Sequence, residues 1–339
     1  MKIYLAFAIM LCSHCHGFCQ LFPGLEGDEL VQAIQNEYTP HILLNDTQVK
    51  DTLYAKVFIQ NDTVRCIYSG LPRFLPAFED PSQYLFGNGN ETESINLEHG
   101  WPQAKGAGDG TNGSVDMHHL YPSRVKINSD RANYPFMNID DNATNRWYYL
   151  GFEMASLPLN NIDAYSEFMT GSFEPKENVK GDIARAMFYF WTIYRDDAIN
   201  ADPDFFELQK EYLCEWHIQD PVDNFEMLRN ERIAAYQDGK LNPFILDCSL
   251  AGRAYCSESE KCNTVSNQVL QKDLVRIDYD LMNNRFQVFS QNALNWEIKV
   301  FNILGQLVSS DFIEGNQWNN CPVFNSGIYV IVAISNKQS

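Results

Sequence analysis

Positive charge is scarce in this chain. Twenty-five lysines and arginines face 44 aspartates and glutamates, for a formal charge of −19 over 339 residues. A protein that coats a polyanion usually presents a basic face, so the total disfavours broad, charge-driven binding. It does not exclude a local groove of balanced charge. From Asn96 to Phe136 the basic residues Lys105, Arg124, Lys126 and Arg131 match Glu98, Asp109, Asp116 and Asp130 in number. Also missing is any apolar run long enough to span a bilayer. No H-E-x-x-H occurs, which ranks a helical zinc hydrolase last, even one built on His99, His118 and His119. With 45% hydrophobic and 13% aromatic residues, the chain can bury a sizeable core and is not expected to be disordered.

The start of the chain reads as an export leader. Lys2 precedes the apolar run Ile3 to Leu11, followed by small and polar residues up to Gln20. Cleavage near Gly17 to Gln20 would remove Cys12, Cys15 and Cys19. It would also remove Cys12-Ser13-His14-Cys15-His16, which matches the pattern for covalent haem attachment. Cys66, Cys214, Cys248, Cys256, Cys262 and Cys321 then remain. An even number in an exported chain favours disulfides over metal thiolates. Cys256 and Cys262 are near enough in sequence to close a small loop.

Periodicity outlines the rest. Leu30, Val31, Ile34 and Tyr38 predict a helix over Gly27 to Tyr38. The β-branched stretch from Val57 to Tyr68 reads as strand. Lys180 to Ile199 reads as one helix with the stripe Ile183, Met187, Trp191 and Tyr194. A second helix follows through Phe205, Leu208, Tyr212 and Trp216, and Asp223 with Glu226 forms a capping-box pattern for a third. Ser257 to Gln271 is polar and linker-like. Beyond it, Trp296 to Ile303, a turn at Leu304-Gly305-Gln306, and Gly327 to Ile334 read as strands of a small all-β appendage.

The chemistry concentrates in Glu98-His99 and in Asp116-Met117-His118-His119-Leu120-Tyr121-Pro122. Neighbours on an extended strand face opposite sides, so a carboxylate could hold a cation while the adjoining imidazole faces a water. By the same logic only one of His118 and His119 would face the site. Arg124 and Arg131 carry forked donors suited to phosphate. Asn128 and Asn133 read as turn formers before ligands. Taken alone, an arbitrary Glu-His dipeptide is more often a surface pair.

Several blocks in order make a resemblance specific. They are Asn96-Leu97-Glu98-His99, Trp101-Pro102-Gln103, Asp116 to Pro122, Asn128 to Phe136, Lys180 to Phe190, Trp216-His217, Asp220-Pro221-Val222-Asp223, Arg229-Asn230 and Asn242-Pro243-Phe244. Over roughly Glu26 to Cys248 the chain resembles the bacterial endonuclease I family. That resemblance implies an α+β domain with several helices around a ββα-metal (His-Me finger) core. It implies one divalent cation, magnesium first and manganese as the alternative. It also implies non-specific cleavage of DNA, and of RNA, to 5′-phosphate ends. By position, His99 matches the general base and Glu98 a metal ligand. His119 falls where relatives carry a metal-binding asparagine, and Arg131 is the choice for a phosphate clamp. The end of the chain, through Val300-Phe301-Asn302-Ile303-Leu304-Gly305-Gln306 and Ser326 to Ile331, resembles the type IX secretion sorting domain.

The expected organisation is therefore a leader over 1–19, a nuclease domain over 20–256, a linker over 257–272 and a sandwich-like sorting domain over 273–339. The expected protein is a monomer, secreted or held at the cell surface, that meets DNA, RNA and the type IX machinery. The alternative is a catalytically inactive nucleic-acid-binding or adhesion protein on a nuclease fold.

Overall fold

The computed structural model describes residues 20–87 and 93–256, together with 276–280, 285–289, 295–302, 306–314, 318–320 and 329–335. The expected leader, the linker, Cys262 and the Leu304-Gly305 turn lie outside these residues. The chain divides into two compact units, Met1–Asn263 and Thr264–Ser339. Among the described residues no helix is long and apolar enough to cross a membrane.

The first unit opens with α1 (Gly27–Tyr38), which buries Leu30, Val31 and Ile34 as its spacing predicts. Next comes α2 (Asp46–Thr52), capped by Asn45 and continued by a π-helical turn, Leu53–Phe58. Val57 and Phe58, where the composition reads as strand, instead bury their side chains from that turn together with Leu53 and Tyr54. Arg232 Nη1 donates to the carbonyls of Val57 (2.8 Å) and Ile59 (3.2 Å) at the turn's end. Strand is confined to β1 (Thr63–Arg65), paired with β2 (Pro72–Phe74). Asn61 and Asp62 both take positive φ just before it, so the chain reverses there instead of running extended.

After α3 (Pro81–Gly87), strands β3 (Ile95–His99) and β4 (Leu120–Arg124) pair antiparallel and lead into α4 (Val125–Arg131). Strands β5 (Arg146–Tyr149), β6 (Phe152–Met154), β7 (Ser166–Met169) and β8 (Ser172–Glu174) form a four-stranded sheet in the order β6-β5-β7-β8.

The centre is α5 (Lys180–Ile193). Every residue of it except Asp182 is buried, so it is a core helix rather than a surface helix with one apolar stripe. The sequence pattern predicts one helix to Ile199, but the backbone breaks at Tyr194 (φ −114°, ψ 36°) before α6 (Arg195–Ala201). The break lets the Tyr194 hydroxyl reach Asp116. The next helix, α7 (Lys210–Gln219), starts later than its apolar spacing suggests, and Leu208 is exposed. At α8 (Asn224–Ala234), Asp223 caps the Glu226 N–H at 2.7 Å. The Glu226 carboxylate does not return to the cap. It takes Arg185 Nε (2.7 Å) and Nη2 (2.6 Å) in a buried, bidentate pair. Short helices α9 (Pro243–Leu246) and α10 (Ser249–Ala254) close the unit.

In the second unit, β9 (Arg276–Asp280), β10 (Arg285–Phe289) and β13 (Trp318–Asn320) form one antiparallel sheet. A second contains β11 (Asn295–Asn302), β12 (Leu307–Glu314) and β14 (Tyr329–Ser335), again antiparallel.

Cys256 does not close a loop onto Cys262. It bonds Cys214, which lies on α7, with Cα atoms 5.8 Å apart. Proximity in sequence is a weak guide when helices carry distant cysteines to one point. The bond spans 42 residues, and closing such a loop restricts the unfolded chain by about 4 kcal/mol. Replacing both cysteines with serine should lower the thermal midpoint by about 10 °C. An unchanged melting curve would show that this crosslink adds nothing to stability.

Candidate active site

The site is built on the β3–β4 ladder. Glu98 stands opposite Tyr121 and His99 opposite Leu120, and the Val125 N–H donates to Ser94 O (2.9 Å) as α4 begins. Strand, strand and helix thus form one ββα unit. Alternation along β3 sends the Glu98 and His99 side chains to opposite sides. The ladder ends at Gly100, whose N–H donates to His119 O at 2.8 Å. A Cβ on Gly100 would stand only 3.0 Å from that oxygen, so the approach is one that glycine permits.

His99 is partly buried, and its Nε2 lies 3.0 Å from the carbonyl of Ser114. A carbonyl oxygen can only accept, so Nε2 carries the proton and Nδ1 keeps the lone pair. Burial lowers the His99 pKa, against the opposing pull of that same backbone bond. The ring is therefore neutral at physiological pH and holds a basic nitrogen. It lines a cavity of about 530 Å³ together with Lys50, Gln83, Phe86, Asn96 and Leu97.

The carbonyl that fixes His99 is itself fixed. Ser114 donates through its N–H (3.2 Å) and hydroxyl (2.7 Å) to Thr111 O. Two residues on, the buried Asp116 accepts from His118 N–H (3.0 Å), Gln237 (2.9 Å), Tyr189 (2.8 Å) and Tyr194 (2.7 Å). Burial works to raise the Asp116 pKa, but His118 and the donated hydrogen bonds outweigh it and hold the carboxyl below its ordinary value.

Glu98 faces the other way and is 1% exposed. Its Oε1 accepts from the Tyr68 hydroxyl (2.7 Å) and pairs with Arg131 Nη1 (3.4 Å). Burial raises its pKa in spite of both neighbours. Among the described residues, Oε2 takes no hydrogen bond. On α4, Asn128 Nδ2 donates to Leu97 O (2.9 Å) and Asn96 Oδ1 (3.0 Å), which leaves Asn128 Oδ1 similarly uncommitted. Asn128 therefore braces β3 from within a helix and does not form a turn. It lies one helical turn before Arg131, on the face that meets the strand.

Two expected site residues stand elsewhere than the sequence pattern suggests. His118 and His119 form a buried 3-10 turn ahead of β4, so strand alternation does not separate them. His119 Nε2 donates to Gly113 O at 2.6 Å, and its ring meets those of His99 (5.8 Å between centroids) and Phe190 (4.7 Å). Burial, reinforced by His99, pushes its pKa down to about 3. The structure thus brings His119 against the His99 ring. Arg131 is 1% exposed. It donates to the carbonyls of His99 (3.0 Å) and Gly100 (2.6 Å), and its guanidinium lies over Phe136. Its Nη1 and Nη2 are engaged inside the protein, so it braces the strand and is not among the residues lining the cavity.

Two oxygen atoms of this set match the donor chemistry of a divalent cation. Glu98 Oε2 and Asn128 Oδ1 are hard oxygen donors not used by the bonds around them. Magnesium commonly takes such a sparse protein set and completes its shell with water and phosphate oxygens. Sequence reasoning passes over Tyr68, which comes from a distant loop and carries no local signal. It also undervalues Asn128, whose i, i+3 spacing from Arg131 is the usable clue.

If the Ser114 carbonyl sets the His99 tautomer, long-range ¹H–¹⁵N spectra should show Nε2 protonated and Nδ1 bare at neutral pH. A proton on Nδ1 would remove the proposed base from the cavity.

Known proteins resemble this chain over the span that carries these residues. Residues 29–248 match the family model described as Endonuclease I. The extracellular ribonuclease of Bacillus subtilis (strain 168) is 34% identical over 233 residues, covering 66% of this chain and 72% of that protein. The extracellular ribonuclease of Bacillus amyloliquefaciens is 34% identical over 174 residues, 47% of this chain and 53% of that protein. An extracellular deoxyribonuclease of Aeromonas hydrophila is 33% identical over 131 residues, 38% of this chain and 48% of that protein. The matched span carries the whole ββα unit and the helices packed around it, and the chain belongs to the Endonuclease I family.

Proposed function

We propose that this chain is a secreted, metal-dependent, non-specific endonuclease that hydrolyses phosphodiester bonds of DNA, and of RNA, to 5′-phosphate ends. One observation carries the reading: an imidazole held by a backbone carbonyl, neutral, with its lone-pair nitrogen on a ring that lines an accessible cavity. The relatives support it from both sides, since two are named as ribonucleases and one as a deoxyribonuclease. Their extracellular location supports secretion. The sheets within Thr264–Ser339 accord with the sorting domain that the terminal motifs suggest, which would hand the protein to the type IX machinery. We take the enzyme to act as a monomer.

In this mechanism His99 Nδ1 accepts a proton from water, and the water oxygen attacks phosphorus in line with the departing 3′ oxygen. The P–O3′ bond breaks, the phosphate stays on the 5′ carbon of the downstream nucleotide, and the departing 3′ oxygen takes a proton from solvent water. Glu98 Oε2 and Asn128 Oδ1 would hold a divalent cation, most simply magnesium, with manganese the alternative. When bound, it supplies charge neutralisation on the non-bridging and departing oxygens. Tyr68 and Arg131 keep Glu98 in place. His119 passes from expected ligand to a neutral ring that packs against the base. Lys50 is the cation on the cavity wall, and most substrate contacts would be to the backbone, so little sequence preference follows.

Wild-type protein should nick plasmid DNA, and EDTA should stop it. His99→Ala should lose at least about 10²-fold in rate while still folding and binding DNA. Cleavage that survives EDTA, or full activity in His99→Ala, would overturn the mechanism. No cleavage with any divalent ion would return the chain to the binding-protein reading.

The ligand choice has its own test. Asn128→Ala should raise the magnesium concentration needed for half-maximal cleavage at least about tenfold. His119→Gln should leave that concentration nearly unchanged. The reverse pattern would return the second ligand to His119.

A further inference from the structure

The cavity that holds His99 has an apolar wall that the hydrolytic step does not use. Phe86 lies near the end of α3 and lines this cavity, yet it is 57% exposed. Its neighbour Leu85 is fully buried and anchors the helix, so the Phe86 ring is not needed for packing. The ring is nonetheless well placed. Ser94 Oγ donates to Phe86 O at 2.8 Å, and Ser94 directly precedes β3. The platform and the base are thus tied to one strand.

The polar groups around the ring are of complementary kinds. Asn96 uses its Oδ1 to accept from Asn128, which leaves its Nδ2 as a donor. Gln83 uses its Nε2 to donate to Asp80 at 2.9 Å, which leaves Oε1 as an acceptor. The Lys50 ammonium is 3.9 Å from Asp46, a loose pairing on a side chain 42% exposed. The cavity, about 530 Å³, sets a planar apolar face beside the Asn96 donor, the Gln83 acceptor and the Lys50 ammonium, with the carboxylates of Asp46 and Asp109 also on its wall, a size and chemistry that suit a single nucleotide.

We propose that Phe86 is a nucleobase platform. The base adjoining the scissile phosphodiester leaves its own stack and lies on the Phe86 ring, with Asn96 and Gln83 at its edge and Lys50 on a neighbouring phosphate. This rests on the nuclease reading and specifies how its substrate is held. Stacking tolerates any base because every base has a π face, so the platform adds affinity without sequence preference. It favours strands whose bases are already free, because a paired base must first be extracted.

The test is steady-state cleavage of a single-stranded oligonucleotide by wild type, Phe86→Ala, Phe86→Leu and Phe86→Trp. Loss of one base stack should raise KM between about fivefold and 150-fold in the Ala variant, with kcat little changed. Leu keeps an apolar side chain and the fold but has no ring, so it should show the same loss. Trp should restore the wild-type KM. An abasic residue beside the scissile linkage should erase the difference between wild type and Ala, which a merely structural role would not do. Wild-type KM in both Ala and Leu variants, with the wild type active, would overturn this inference alone. A wild type that cleaves nothing with any divalent ion would overturn the nuclease reading and this inference with it.

Discussion

The hydrogen bond from His99 Nε2 to the Ser114 carbonyl orders the rest of the site. It fixes which nitrogen keeps a lone pair and which way the ring faces, two requirements of a general base that no side-chain identity can guarantee. The bond holds only if Ser114 is immobile. That explains a costly feature nearby, a buried aspartate with four donors converging on it. Asp116 draws Tyr189 and Tyr194 from α5 and its breaking point, and Gln237 from beyond α8. The segment Thr111 to His119 is therefore pinned to the core helix of the domain.

The opposite face of β3 follows a different logic. Glu98 is buried with a hydroxyl on one side and Arg131 on the other, and its proton affinity is raised because burial outweighs both. A buried carboxylate is costly unless it is paired, and Arg131 supplies the pairing while tying down the carbonyls of His99 and Gly100. One guanidinium thus holds both the carboxylate and the strand end that carries His99. A residue of this kind resembles a phosphate clamp in sequence because the side chain that binds an external oxyanion is the one that binds an internal one.

Much of this was legible beforehand, and the failures share a cause. α1 follows from local spacing and stands where Leu30, Val31 and Ile34 place it. The adjacency of Glu98 and His99 on a strand was readable because alternation is a local rule. Long-range partners were not. Val57 and Phe58 are β-formers held in a helical turn by Arg232, a residue far along the chain. Glu226 has the spacing of a capping residue but serves Arg185. Cys256 ignores the near cysteine for Cys214 on another helix. His119 sits on a turn rather than a strand, so its neighbours could not be inferred from alternation.

The central claim is that the side chain at position 99 supplies the base and nothing else. Chemical rescue addresses it directly. The cleavage rate of a His99→Gly variant should rise with added imidazole and saturate, since a free imidazole can occupy the vacated space and accept the same proton. A folded, DNA-binding variant whose cleavage does not respond to imidazole, or one that needs none, would contradict the account.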